Sequence, residues 1–183
     1  DPNNPVLLYG GCYQGIIDVL NTADGHVKDI RQYPANILAY DAKDMKYRFN
    51  WNAPLIASPH DYSTIYHGGN ILFKTTNGGL SWEEISPDLT RNDSSKQGPG
   101  GAPITNEGAG GENYNTLSYV IESVHEQGVI YTGSDCGLVH ITKDGGKTWQ
   151  NITPAGLPES LIQSIEVSPH DKGTAFIAAT RYK

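Results

Sequence analysis

Thr75-Thr76-Asn77-Gly78-Gly79-Leu80-Ser81-Trp82 and Thr142-Lys143-Asp144-Gly145-Gly146-Lys147-Thr148-Trp149 are two copies of one octad, and each runs into the same ending, Ile85-Ser86-Pro87 and Ile152-Thr153-Pro154. A period of several tens of residues points to a repeat architecture before local propensity is weighed. Upstream of each octad lie two matching apolar runs. Leu55-Ile56-Ala57-Ser58-Pro59-His60 with Thr64-Ile65-Tyr66 corresponds to Val120-Ile121-Glu122-Ser123-Val124-His125 with Val129-Ile130-Tyr131. A third copy of this upstream part starts at Ile165-Glu166-Val167-Ser168-Pro169-His170 and continues into Ala175-Phe176-Ile177.

Each complete unit reads as four short strands, A to D from inside to outside, the pattern of a twisted propeller blade. The fold class expected is therefore all-β, a β-propeller segment of four-stranded antiparallel blades that is incomplete at both ends. Strands are expected near 53–58, 64–68, 71–76 and 82–86 in one unit, and near 117–123, 129–133, 138–142 and 149–153 in the next. The chain divides into a partial blade with strands B to D (1–34), a second blade with an entry insertion (35–86), a long loop insertion (87–116), a third blade (117–154) and strands A and B of a fourth (155–183). With Asp1 in place of a methionine, these residues are expected to be an interior piece of a longer chain.

The octads resemble the Asp box, S/T-x-D-x-G-x-S/T-W, of sialidases, sortilin-type receptors and xyloglucan-degrading glycosidases. In that motif a C-to-D hairpin turn is held by a carboxylate accepting backbone N–H groups, a Gly at positive φ and a Trp ring over the turn. The structural residues carried over are Asn77, Gly79, Ser81 and Trp82, and Asp144, Gly146, Thr148 and Trp149. Asn77 keeps an acceptor oxygen and loses the charge. The longer string Tyr47-Arg48-Phe49-Asn50-Trp51-Asn52-Ala53-Pro54, with Ser86-Pro87-Asp88-Leu89-Thr90-Arg91-Asn92-Asp93, is similar to large bacterial proteins labelled glycosyl hydrolase or sortilin-like. Those labels rest mainly on the propeller, and a fold hosts many functions.

The 183 residues carry 21 Gly, 11 Pro and 11 Tyr, which suits short strands joined by tight turns. A formal charge of −7 argues against nucleic acid, whose phosphates need clustered Lys and Arg. No apolar run approaches the ~20 residues of a membrane-spanning helix. Cys12 and Cys136 lack CxxC spacing and fall on blades separated by another blade, so they are expected to be unjoined. His60, His125 and His170 recur at one register in the A-to-B turns, which indicates a turn role and no metal site. No glycine stretch matches a phosphate loop, and no cofactor is expected.

Because strands alternate in direction, B-to-C turns and D-to-A crossovers share one face of the propeller. The two long insertions, roughly 33–52 and 87–116, both rise there, and loops of that length tend to be functional or disordered. Ligand-binding candidates on this face are Tyr40, Tyr47, Phe49 and Trp51 from the first insertion and Tyr114 from the second, since pockets favour aromatic walls with a few polar groups. Glycoside cleavage needs paired carboxylates, for which Glu107 with Glu112, or Asp88 with Asp93, are the candidates. A sialidase needs an arginine cluster. Arg31, Arg48, Arg91 and Arg181 sit in no recognisable sialidase motif, so no catalytic residue carries over.

The leading reading is a ligand-binding or protein-interaction module of a secreted, periplasmic or cell-surface protein. The alternative is a glycoside hydrolase of sialidase or xyloglucanase type. Partners expected are the remaining blades of a longer chain, or other copies, at both open edges, together with a glycan or peptide ligand.

Overall fold

The computed structural model of the protein describes residues 1, 4–34, 40–105 and 111–181. Four antiparallel sheets follow one another along the chain. The first contains β1 (Leu7–Gly11), β2 (Ile17–Asn21) and β3 (Val27–Asp29) in that spatial order. The second contains β4 (Leu55–Ala57), β5 (Ile65–Gly68), β6 (Leu72–Thr75) and β7 (Glu83–Glu84), and the third β8 (Leu117–Glu122), β9 (Ile130–Ser134), β10 (Val139–Thr142) and β11 (Gln150–Asn151). The fourth pairs β12 (Leu161–Val167) with β13 (Ala175–Thr180). These are blades of a β-propeller segment, and the first and last are incomplete.

Register follows the repeat. Tyr66 of β5 sits between Ile56 and Lys74, and Tyr131 of β9 sits between Ile121 and Ile141. The inner strands β8 and β12 each carry a bulge near their start. A bulge bends a strand and increases its twist.

The core lies between the sheets. Tyr66, Leu72, Ile85, Leu117, Val120 and Ile130 fill the space between the second and third blades, and Tyr131, Val139, Ile141, Ile162, Ile165 and Val167 that between the third and fourth. Every other residue of a strand faces one neighbour, so both faces of a central blade must be apolar.

The octads form tight C-to-D turns. In the third blade Asp144 Oδ1 accepts the Thr148 N–H at 2.9 Å, Asp144 Oδ2 accepts the Thr148 hydroxyl at 2.6 Å, and Thr142 Oγ1 accepts the Gly146 N–H at 2.9 Å. In the second, Asn77 Oδ1 accepts the Ser81 N–H at 3.0 Å, while its amide donates to Ser81 Oγ at 2.8 Å, reversing the bond made by the carboxylate. Gly79 and Gly146 adopt φ of 79° and 100°.

The tryptophans differ from expectation. Each is half-buried, and its indole reaches away from its own turn to the preceding blade. Trp82 Nε1 donates to the Ile30 carbonyl at 2.7 Å, and Trp149 Nε1 donates to the Ile85 carbonyl at 2.8 Å. The same isoleucines exclude a side chain at the second octad glycine. A Cβ on Gly79 would lie 2.5 Å from Ile30 Cβ, and one on Gly146 would lie 2.5 Å from the Ile85 oxygen. The octad is therefore a joint between blades as well as a turn.

The recurring histidines make the reciprocal joint. His60 Nε2 lies 2.7 Å from the Ser123 carbonyl, and His125 Nε2 lies 2.8 Å from that of Ser168. A carbonyl only accepts, so the Nε2 nitrogens carry the proton. The second and third blades thus each grip the one before through Trp and the one after through His.

The Thr148 hydroxyl and N–H hold the Asp144 carboxyl down to about 2. Its folded pKa lies below the unfolded value of about 3.9, so its stabilisation is complete above about pH 4 and is lost as pH falls through about 2. Thermal melts between pH 2 and 5 should show Asp144→Asn losing less stability on acidification than the parent chain. Equal acid slopes would mean the carboxylate bonds contribute nothing.

Candidate ligand-binding cleft

The two insertions are built against each other on the face expected from strand direction. Lys43 N–H donates to the Gln97 carbonyl at 3.1 Å, Asn50 Nδ2 to the Asn113 carbonyl at 2.9 Å, and Asn113 Nδ2 to the Phe49 carbonyl at 3.0 Å. Arg48 fixes the first insertion to the second blade through its N–H, which donates to Asn70 Oδ1 at 3.0 Å, and to the second insertion through its side chain. Its guanidinium is buried, 2.5 Å from Asp88 Oδ2, and its Nε donates to the Asn115 carbonyl at 3.2 Å.

Beside this scaffold opens a cleft of about 510 Å³, lined by Asn50, Trp51, Asn52, Glu112, Asp135 and Gln163 together with the starts of β8 and β12. It lies at the mouth of the propeller, where inner strands begin. Trp51 is 42% exposed, and its ring packs on Tyr13 at 4.9 Å. Gly111 lets it lie there, since a Cβ at that position would fall 2.6 Å from the indole. Among the described residues no lysine or arginine lines the cleft, whereas two carboxylates do. A cleft of that charge suits neutral or cationic ligands and disfavours an anionic sugar.

Of the residues singled out from sequence, Trp51 and Glu112 meet in this cleft. Tyr47, Phe49 and Tyr114 do not serve as ligand-facing rings, because they are buried at 8%, 4% and 3% exposure. Tyr47 and Phe49 pack with Ile71 and Phe73, and the Tyr114 hydroxyl donates to Glu159. Aromatic residues in an insertion look alike in sequence whether they anchor the loop or face solvent. Tyr40 is 58% exposed and lies outside the cleft lining.

The carboxylate pairs do not assemble. Asp88 is engaged by Arg48, by Asn70 Nδ2 at 3.0 Å and by the Thr90 hydroxyl at 2.6 Å. Asp93 accepts from the Ser95 hydroxyl and N–H, which lower its pKa and tie it to a 3-10 turn, Ser94–Lys96. Glu107 lies outside the described residues. The carboxylate that joins Glu112 in the cleft is Asp135, 3% exposed, whose oxygens accept the Thr116 N–H at 3.0 Å and the Thr116 hydroxyl at 3.2 Å. Sequence reasoning missed it. The available signal was its place in the B-to-C turn of the third blade, on the same face as the insertions.

Cys12 is exposed, Cys136 is buried, and both are free. Burial pushes the Cys136 thiol up to about 11, which keeps it protonated and unreactive. Among the described residues no three His, Cys, Asp or Glu side chains cluster to hold a metal, and no helix is long and apolar enough to cross a membrane.

No family model and no curated protein matches the sequence. Solved structures do match in fold. YCF48 bound to D1 peptide aligns at 16% identity and a TM-score of 0.52, covering 91% of this chain and 41% of that one. The GH74 xyloglucanase from Xanthomonas campestris aligns at 18% and 0.57, and the Niastella koreensis GH74 enzyme at 20% and 0.53, each over 98% of this chain. The chain spans 26% and 25% of those two enzymes. At such identities the likeness concerns architecture alone, and the architecture is that of a β-propeller.

Proposed function

We propose that the protein is an Asp-box propeller segment acting as a ligand-binding or protein-interaction module, with its ligand seated in the cleft around Trp51. The supporting observation is the convergence of an exposed indole, three side-chain amides and two carboxylates at the propeller mouth, on a scaffold cross-braced by both insertions. Pockets that orient ligands combine an aromatic wall with a few polar groups in this way. Two carboxylates, with no cation among the described lining residues, favour an extended peptide with basic side chains. A peptide is also what the YCF48 structure holds on this fold. A secreted, periplasmic or cell-surface location, a sortilin-like role and coverage of both open edges by further blades or other copies belong to the same proposal.

A second reading, a glycoside hydrolase, draws on Glu112 and Asp135 lining one cleft beside an indole. Paired carboxylates are what glycosidic cleavage requires.

Calorimetric titration with Lys- and Arg-containing peptides and with β-glucan oligosaccharides tests both readings. Trp51→Ala should weaken peptide binding by about tenfold or more while leaving the melting temperature nearly unchanged. Oligosaccharide cleavage abolished by Glu112→Gln would instead carry the hydrolase reading. Peptide binding unaffected by Trp51→Ala would overturn the site.

A further inference from the structure

We infer that Asn77 and Gly78 form a self-modification site, at which the turn of the second blade closes Asn77 into a succinimide, releases ammonia and reopens the ring as an aspartate. The sequence holds one Asn-Gly pair, and it stands where the octad of the third blade has Asp144-Gly145.

The nucleophile is the Gly78 nitrogen. Among the described residues no acceptor takes its N–H, both Asn77 and Gly78 are exposed, and glycine places no Cβ beside the attacking atom. The corresponding nitrogens of the other blades are held. Gly25 N–H donates to the Asn21 carbonyl at 2.8 Å, and Gly145 N–H donates to the Gly128 carbonyl at 3.0 Å.

The electrophile is Asn77 Cγ, whose Oδ1 accepts two hydrogen bonds, from the Thr75 hydroxyl at 2.9 Å and the Ser81 N–H at 3.0 Å. Donors so placed hold a developing oxyanion more strongly than a neutral carbonyl. The leaving nitrogen, Nδ2, lies 2.8 Å from Ser81 Oγ. That hydroxyl accepts from the amide and turns to donate once the nitrogen becomes a basic amine.

In the first step the Gly78 N–H gives its proton to water or hydroxide as the N–Cγ bond forms. The Cγ–Nδ2 bond then breaks, and Nδ2 leaves as ammonia with a proton from Ser81 Oγ that solvent restores. Water opens the ring at one of two carbonyls. Attack at Cγ restores the main chain and leaves a carboxylate at position 77, whereas attack at the Asn77 main-chain carbonyl leaves an isoaspartate, with the chain running through Cγ.

The turn selects between these products. Ser81 N–H, with the Ser81 hydroxyl turned to donate, holds the new carboxylate as Thr148 holds Asp144, and the Lys28 ammonium lines the same groove as Asn77. An isoaspartate adds one atom of main chain to a turn closed by Gly79 N–H on Thr75 Oγ1 at 3.1 Å, with Gly79 pressed against Ile30. Isoaspartate returns slowly to the ring, so repeated passage enriches aspartate. The second octad thereby matures into the carboxylate form of the third.

The test ages the purified chain at neutral pH and reads its tryptic peptide 75–91 by mass spectrometry, with fragmentation that separates aspartate from isoaspartate. Position 77 should convert about tenfold or more faster than any other asparagine, with aspartate the main product, whereas a free peptide of residues 72–84 should give mainly isoaspartate. Ser81→Ala should slow conversion about fivefold, and Ser81→Thr, which keeps the hydroxyl and the fold, should not. The aged chain should melt about 2 °C above the fresh one, as should Asn77→Asp. An Asn77 that stays intact in the folded chain while the free peptide converts overturns the inference, as does isoaspartate as the main product of the folded chain. Equal rates for Ser81→Ala and the parent overturn the part given to the turn.

Discussion

Replacing Trp149 by alanine should destabilise the protein by about 3 kcal/mol, near the lower end of the range for truncating a packed tryptophan, because its ring is half-buried. Two contributions are lost together. The ring packs on the cluster that holds the second and third blades together, and its N–H satisfies the Ile85 carbonyl across the joint. Trp149→Phe keeps most of the packing and removes the bond, so it should cost about 1 kcal/mol. Denaturant melts of the two variants separate these contributions. A Trp149→Ala chain as stable as the parent would mean the octad tryptophan is not a joint.

Asp88→Ala should be comparably damaging, at about 3 kcal/mol, for a different reason. Arg48 is buried with its guanidinium 2.5 Å from Asp88, and removing the carboxylate leaves that charge without its counterion. Arg48→Met removes the charge and keeps much of the volume, so it should cost clearly less. The pair also ties the first insertion to the second, where Arg48 Nε reaches the Asn115 carbonyl as well. Loss of Asp88 should therefore weaken peptide binding at Trp51 as well as stability. Equal costs for Asp88→Ala and Arg48→Met would show that the unpaired charge is not the cause.

The blade pattern was legible because strand alternation and octad spacing are local properties. Asp144 and Gly146 act within a few residues of themselves, and their bonds follow from the motif. The joints were less legible. Nothing near Trp149 in sequence names Ile85 as its acceptor, and nothing near His60 names Ser123, since both partners lie about one repeat away. The repeat implied such contacts in general but not which atoms make them.

The site was legible in outline only. Strand direction placed both insertions on one face, where the cleft is found. Among the aromatics, Trp51 differs from Tyr47 and Phe49 only in which way the loop turns, and that depends on long-range anchors such as Arg48 and Asn113. Asp88 and Asp93 were nominated as acids because carboxylates in loops suggest chemistry. Asp88 proves to be fixed by Arg48 and Asn70, which only the fold brings near, and Asp93 by the hydroxyl of Ser95 two residues on. Asp135 went unnoticed for the converse reason, its short turn carrying no motif.

The most direct test of the account is the exchange of the three indole N–H protons, one each from Trp51, Trp82 and Trp149, followed by NMR in one sample. Trp82 and Trp149, bonded across blades to Ile30 and Ile85, should exchange slowly, while exposed Trp51 exchanges fast and alone shifts when a peptide enters the cleft. Fast exchange of Trp82 and Trp149 at the rate of Trp51 would contradict the joints between blades, and with them the architecture on which the cleft is built.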